Sequence, residues 1–221
     1  MINYTLSVTL IYNVGVKTNL TPLKQLLEQH QEKLRACKAC PQMIGPVITG
    51  APVISPVMLI GQAPGDREGD IGKPFAWTAG KTLFKWFASQ GVDEERFRES
   101  VYIVSVCRCF PGKKPKGGDR VPNKEEIAQC QHWLQQEFIL QQPKLIILVG
   151  KLAISQFLPL KKLTDVIGLT FEQEIQGQLC TLLPLPHPSG ASTWHRTEPG
   201  VGLLQAALSR LGEHPEWQRL K

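Results

Sequence analysis

The chain lacks internal repeats, low-complexity tracts and any shift of composition that marks a domain boundary, which excludes solenoids and strings of tethered modules. Its start is expected to be neither a signal peptide nor a spanning helix. The first sixteen residues, MINYTLSVTLIYNVGV, carry no basic opening and are broken by Asn3, Thr5, Ser7, Thr9 and Asn13. A soluble, cytoplasmic monomer with no membrane partner is expected. Acidic residues are the scarcer charge, with 19 Asp and Glu against 25 Lys and Arg, and the net charge of +6 suits a polyanionic partner.

What is present is enough for one core. The 221 residues are 42% hydrophobic, which fits a single α/β domain over 21–221, with 1–20 as an N-terminal extension of undecided structure. Short apolar runs alternate with segments of helical period, the pattern of βαβ units. Strands are predicted at 57–60, 101–106, 145–149 and 179–183. Helices are predicted from Thr21-Pro22, from Asn123 with its acidic first turn, and after Ala79, Lys151 and Pro199. The expected architecture is a three-layer α/β/α sandwich around a short, mostly parallel, four-stranded sheet.

Six cysteines in a chain of this kind are read as ligands, redox groups or core filling rather than as disulfides. The stretch CKAC supplies Cys37 and Cys40, which a helix end can aim at one metal site. Cys107 and Cys109 follow a predicted strand and would share a face if the strand ran on. Cys130 lies in the first turns of a helix, and Cys180, on a core strand, reads as a buried small hydrophobe. Four thiolates suit zinc or an iron-sulfur cluster, and spacing alone does not separate the two.

Two loops are predicted to reach the carboxyl edge of the sheet, where open α/β folds bind ligands. The first is GQAPGDREGDIGKPFAWTAG, residues 61 to 80. The second, PHPSGASTWHR, brings His187, Ser189 and His195.

GQAPGDRE, then KPF, then VCRCFPG, then HPSG, in that order, resembles the uracil-DNA glycosylase superfamily, and most closely its iron-sulfur branch, family 4. The resemblance covers roughly 23–211. It implies a 4Fe-4S cluster on Cys37, Cys40, Cys109 and Cys130, with zinc as the alternative metal and Cys107 as the spare thiol. It implies that DNA carrying uracil or another deaminated base is the partner, and that the base is taken out of the stack and cut from its sugar. Phe75 would then wall the pocket, with Gln62, Ala63, Ser105 and Ser189 lining it. Asp66 and Glu68 would face the cationic sugar, and a neutral His187 would donate to the departing base.

Departures from that pattern matter as well. Gln62 stands where the family has an acid, and an amide takes no proton from water. Ser105 replaces the Asn that reads the uracil edge, and one hydroxyl does not present an amide's paired donor and acceptor. Ala191 replaces the wedge Leu of HPSxL, so Trp194 is a substitute wedge, or single-stranded DNA is the easier substrate. The loop PGKKPKGGDR offers Lys113, Lys114, Lys116 and Arg120 for phosphate contact or as a solvated charged face. Two further readings use the same residues. One is a non-catalytic nucleic-acid-binding relative that keeps the cluster. The other is a zinc-stabilised α/β protein acting on a small phosphorylated ligand.

Overall fold

The computed structural model describes residues 20–190 and 192–221. Almost all of the expected N-terminal extension and Ala191 therefore lie outside the described residues. A helix over Leu20–Arg35 (α1) opens the described chain, one residue ahead of the expected cap. There follow β1 (Val57–Gly61), a four-residue turn of helix (α2, Glu68–Ile71), α3 (Thr78–Ala88), α4 (Glu94–Ser100) and β2 (Tyr102–Ser105). Next come α5 (Lys124–Gln141), β3 (Leu145–Val149), α6 (Lys151–Ser155), β4 (Phe171–Ile175), β5 (Gln178–Leu185), α7 (Gly200–Glu213) and α8 (Pro215–Gln218).

The sheet has five strands in the order β2-β1-β3-β5-β4, one more than expected. The four predicted strands pair in parallel, and the additional β4 runs antiparallel to β5 along the edge. Its sequence FEQEI alternates in burial, as a strand covered on one face must. Gln176 and Gly177 both adopt positive φ and close a tight hairpin into β5. By contrast β1, VMLIG, and β3, LIILV, are buried at every residue, so helices cover both faces. Each fully buried Leu or Ile there contributes roughly 1.5–3 kcal/mol. One apolar cluster runs from Leu27 to Leu220 and includes all of β3.

Helix ends follow their local chemistry. Asn123 caps α5 through a reciprocal capping box with Glu126, the Asn123 side chain accepting from the Glu126 N–H at 2.8 Å. Asp93 caps α4, accepting from the Arg96 N–H at 2.8 Å. β2 stops at Ser105, and the next four residues are bends, so Cys107 and Cys109 do not share a strand face as expected. No helix among the described residues is long and apolar enough to cross a membrane.

Candidate active site and cysteine cavity

Because β1, β2, β3 and β5 are parallel, their carboxyl ends share one edge of the sheet. The chain leaves β1 toward β2 on one side and later returns to β3 on the other, which opens a crevice between β1 and β3. Residue 61 ends β1 and residue 150 follows β3, and both are glycines for steric reasons. A Cβ on Gly61 would stand 2.8 Å from Phe75 Cζ, and one on Gly150 would stand 3.0 Å from His187 Cδ2. The aromatic ring of the first loop and the imidazole of the second are thus seated directly on the strand ends. The same Gly61 position lies 3.3 Å from Ser105 Oγ, so the Ser105 hydroxyl joins the Phe75 ring there.

The first loop is held by a buried carboxylate. Glu68 Oε2 accepts from the Gly65 N–H at 2.8 Å, and Oε1 accepts from the Ala76 N–H at 3.2 Å. Burial pushes the Glu68 carboxyl above its usual range, against these backbone N–H groups and the nearby Arg98 charge. Expected to face a sugar, Glu68 is instead turned into the loop with both oxygens used. Arg98 holds the other side, donating to the carbonyls of Pro74 at 3.0 Å and Phe75 at 3.1 Å, with its guanidinium 4.5 Å from the Phe84 ring centroid. Phe75 needs such support, because its φ of 53° places a bulky aromatic in the left-handed region at a cost of about 1–2 kcal/mol.

The second loop fixes a tautomer. The Ser189 N–H donates to His187 Nδ1 at 3.2 Å, so Nδ1 is the acceptor and the proton of a neutral imidazole sits on Nε2. Burial lowers the His187 pKa, partly offset by the nearby Asp119 carboxylate, and the ring stays neutral at pH 7. His195 is buried on a 3-10 turn, stacked edge-on against Trp86. Trp194, offered as a wedge, is half-buried and packed on the core, with its backbone against Gly200.

The basic loop is a small hairpin closed by a Lys113–Asp119 bridge and turned at Gly117 and Gly118. Lys113 Nζ lies 2.9 Å from Asp119 Oδ1 and 3.2 Å from Asp66 Oδ2, which clasps the hairpin to the first loop. Asp119 Oδ2 stands 3.5 Å from where a Gly65 Cβ would be. Arg120 forks onto Glu126, with Nη1 to Oε2 at 2.7 Å, and so anchors the hairpin to α5 rather than reaching outward. Only Lys114 and Lys116 of the four expected contacts have no ion-pair partner among the described residues.

Below the hairpin, Cys37, Cys40, Cys109 and Cys130 line one cavity of about 450 Å³, together with Arg108 and Trp133. Among the described residues no three His, Cys, Asp or Glu side chains lie close enough to hold a single metal ion. The thiols nevertheless act on one another. Burial, then the charges of Cys130, Cys37 and Cys40, push Cys109 up to about 11, and Cys40 is raised by burial, Cys130 and Cys37. Cys107 is buried outside the lining and donates to Cys130, whose pKa falls to about 6 with further help from Arg108. The Cys180 thiol donates to the Pro143 carbonyl within the core.

A family model described as the uracil DNA glycosylase superfamily matches residues 48–210. The chain belongs to the uracil DNA glycosylase superfamily. It is similar to a type-4 uracil-DNA glycosylase of Thermotoga maritima, 30% identical over 171 residues that cover 75% of this chain and 83% of the relative. A type-4 uracil-DNA glycosylase of Pyrobaculum aerophilum is 32% identical over 138 residues, 60% of this chain and 66% of the relative. A type-5 enzyme of the same organism is 30% identical over 108 residues, 44% of this chain and 45% of the relative. As a superfamily member the chain brings His187, Ser189, Phe75, Ser105 and the Gln62-Ala63 turn to one edge, and four cysteines to one cavity. Sequence reading missed Asp119 and Arg98. Asp119 follows two glycines at the end of a lysine-rich loop whose basic character masks it, and Arg98 sits on a short helix that only Asp93 and the two glutamates after it signal.

Proposed function

We propose that the chain hydrolyses the N-glycosidic bond of uracil, or of a related deaminated base, in DNA and leaves an abasic site. The observation that carries this is the Ser189 N–H on His187 Nδ1, which leaves a neutral imidazole with its proton on Nε2 at the edge where the Phe75 ring is seated. In this reading the extruded base stacks on Phe75 with the Ser105 hydroxyl at its edge. As the bond breaks, negative charge grows on the base and His187 Nε2–H donates to it, in a setting that is stronger in the transition state than before it. The sugar becomes cationic, and Asp66 and Asp119 supply the negative charge on that side, held together by Lys113. Gln62 and Ala63 form the turn beside them. Glu68 acts through Phe75, as a positioning residue.

The donor set of the cavity fits a 4Fe-4S cluster on Cys37, Cys40, Cys109 and Cys130. A single zinc at about 2.3 Å from each sulfur would need the four thiolates nearly touching, whereas a cluster spreads them over several irons. Trp133 adds an orphaned buried N–H to the same wall, suited to an acceptor-bearing group. A bound cluster supplies charge neutralisation for the thiolates and a tie between the end of α1, the exit of β2 and the first turns of α5. The partner is DNA, the location cytoplasmic, and residues 21–221 act as one monomeric domain.

The test is a panel of single- and double-stranded oligonucleotides bearing uracil, hypoxanthine, xanthine or a thymine mismatch, scored for abasic sites. Uracil release at rates far above the other bases is expected. Binding without release from every member would favour the non-catalytic relative, to which Gln62 and Ser105 point.

A further inference from the structure

Five tryptophans are present, and four of them have internal work. Trp217 is fully buried, Trp86 stacks on His195, Trp133 on His30, and Trp194 packs on the core. Trp77 is different. It is 51% exposed and the one aromatic among the exposed large apolar side chains of the described residues. Exposing an indole costs solvation that burial would recover, and no internal contact of the loop requires it.

Its surroundings specify what it suits. Trp77 stands at the N-terminal boundary of α3 in extended conformation, two residues after Phe75. The Phe75 carbonyl is gripped by Arg98 and the Ala76 N–H by Glu68, so the backbone that carries the indole is fixed relative to the proposed base wall. Trp77, Lys81 and Lys85 follow at i, i+4 and i+8 and are all exposed, which puts them in one row along the helix. Lys81 Nζ lies 5.9 Å from the Trp77 ring centroid. Neither lysine has an ion-pair partner among the described residues, and the α3 sequence TAGKTLFKWFA holds no acid. A flat aromatic face followed by a row of unpaired cations is the chemistry that holds single-stranded nucleic acid, with bases on the ring and phosphates along the charges. The row advances about 6 Å per step, wider than the roughly 3.4 Å per nucleotide of a stacked strand, and so suits an extended one. In a duplex the base faces are already covered by their neighbours.

We propose that Trp77, with Lys81 and Lys85, is a stacking subsite for the unpaired base next to the one seated on Phe75, which makes single-stranded DNA the preferred partner. This rests on the glycosylase reading for the seat of the target base. It also accounts for the wedge problem: with Trp194 packed inward, a strand that is already unpaired needs no side chain to prop open a stack.

The experiment measures binding of the whole protein to two fluorescein-labelled single-stranded oligonucleotides by fluorescence anisotropy, a signal that does not depend on Trp77. Both carry one 2′-fluorinated deoxyuridine that resists hydrolysis. In one the flanking nucleotides bear thymine, and in the other they are abasic spacers. The unaltered protein is expected to bind the first roughly tenfold more tightly, the scale of one base stacked on an aromatic ring. Trp77→Ala should abolish that difference while Trp77→Phe keeps most of it, and Lys81→Ala should weaken both oligonucleotides alike. Equal affinity of the unaltered protein for the two oligonucleotides, or a difference that survives in Trp77→Ala, overturns the proposal. A Trp77-dependent difference in a protein that releases no uracil keeps the subsite and sinks the glycosylase reading. Release of uracil with no such difference does the reverse.

Discussion

The sheet edge and the cysteine cavity are joined through Arg108, which lines the cavity and donates to the Ser105 carbonyl, yet the two are built to opposite rules. At the edge the groups that hold the two loops in place are already paired. Glu68 is saturated by backbone N–H groups, the Phe75 carbonyl is held by Arg98, and His187 has its tautomer set by Ser189. In the cavity the groups oppose one another. Burial and the neighbouring thiols push Cys40 and Cys109 up while Cys130 is held down by its hydrogen bond from Cys107, and Trp133 Nε1 and Arg108 Nε are buried without partners. The difference teaches which site is preorganised by the fold and which is completed by what it binds.

The sharpest way to break that contrast is at the cavity, where the largest effects are expected. If a cluster completes it, Cys109→Ser or Cys130→Ser should lose most soluble protein and the brown absorption near 400 nm, because assembly of the site and folding are coupled. Cys180→Ser, which loses one core contact, should keep its colour. Cys107→Ser is the discriminating variant, since Cys107 touches Cys130 but does not line the cavity. It should stay brown, and a colourless Cys107→Ser beside a brown Cys109→Ser would reassign the ligand.

At the edge the next largest effect should leave folding alone. His187→Ala is expected to lower single-turnover base release by about a hundredfold or more, the scale of one preorganised donor, with an unchanged melting temperature. The pH profile sharpens this. The folded-state pKa of His187 is lowered by burial, so the folded chain binds fewer protons than the unfolded one between that pKa and the ordinary value near 6.5. The His187 contribution to stability is therefore complete above about pH 6.5 and lost only as pH falls through that window. Base release should stay level as pH drops past 6.5. A rate that halves there would show an unshifted imidazole.

A smaller effect separates positioning from chemistry. Glu68→Gln places an amide N–H among backbone donors and should cost roughly 1–3 kcal/mol of stability, read by denaturant melts, with weaker capture of the base because Phe75 loses its brace. Asp66→Asn should leave stability nearly unchanged and reduce the rate. The opposite pattern would return Glu68 to the sugar side of the pocket.

The residues show why some of this was legible in sequence. Strands such as LIILV read clearly because burial on both faces demands an unbroken apolar run, and Asn123 read clearly because a capping box is local. β4 was missed because an edge strand like FEQEI is half polar, and its hairpin turn at Gln176-Gly177 is a weaker signal than an Asn-Gly pair. The loop order GQAPG, KPF, HPSG carried the edge, since parallel strands force such loops together. What sequence could not carry was direction. Whether Glu68 faces in or out, and whether Arg120 meets solvent or Glu126, depends on partners distant in space or on geometry within the loop.

The smallest expected effect tests that last point on the hairpin. Read as a basic loop, 113–120 offers four phosphate contacts, but the structure uses Lys113 to clasp Asp66 and Asp119 and Arg120 to fork onto Glu126. Lys114→Ala with Lys116→Ala should therefore lower the slope of log affinity against log salt by about one to two units, equally for damaged and undamaged DNA, with base selectivity unmoved. Lys113→Ala should change that slope by less, because removing it also frees two carboxylates whose repulsion of phosphate replaces a cation that was already neutralised. Its effect should instead appear in the rate, as Asp66 and Asp119 lose the ion that holds them together. If Lys113→Ala lowers the salt slope as much as the double change does, the clasp opens when DNA arrives, and the hairpin belongs to the binding surface.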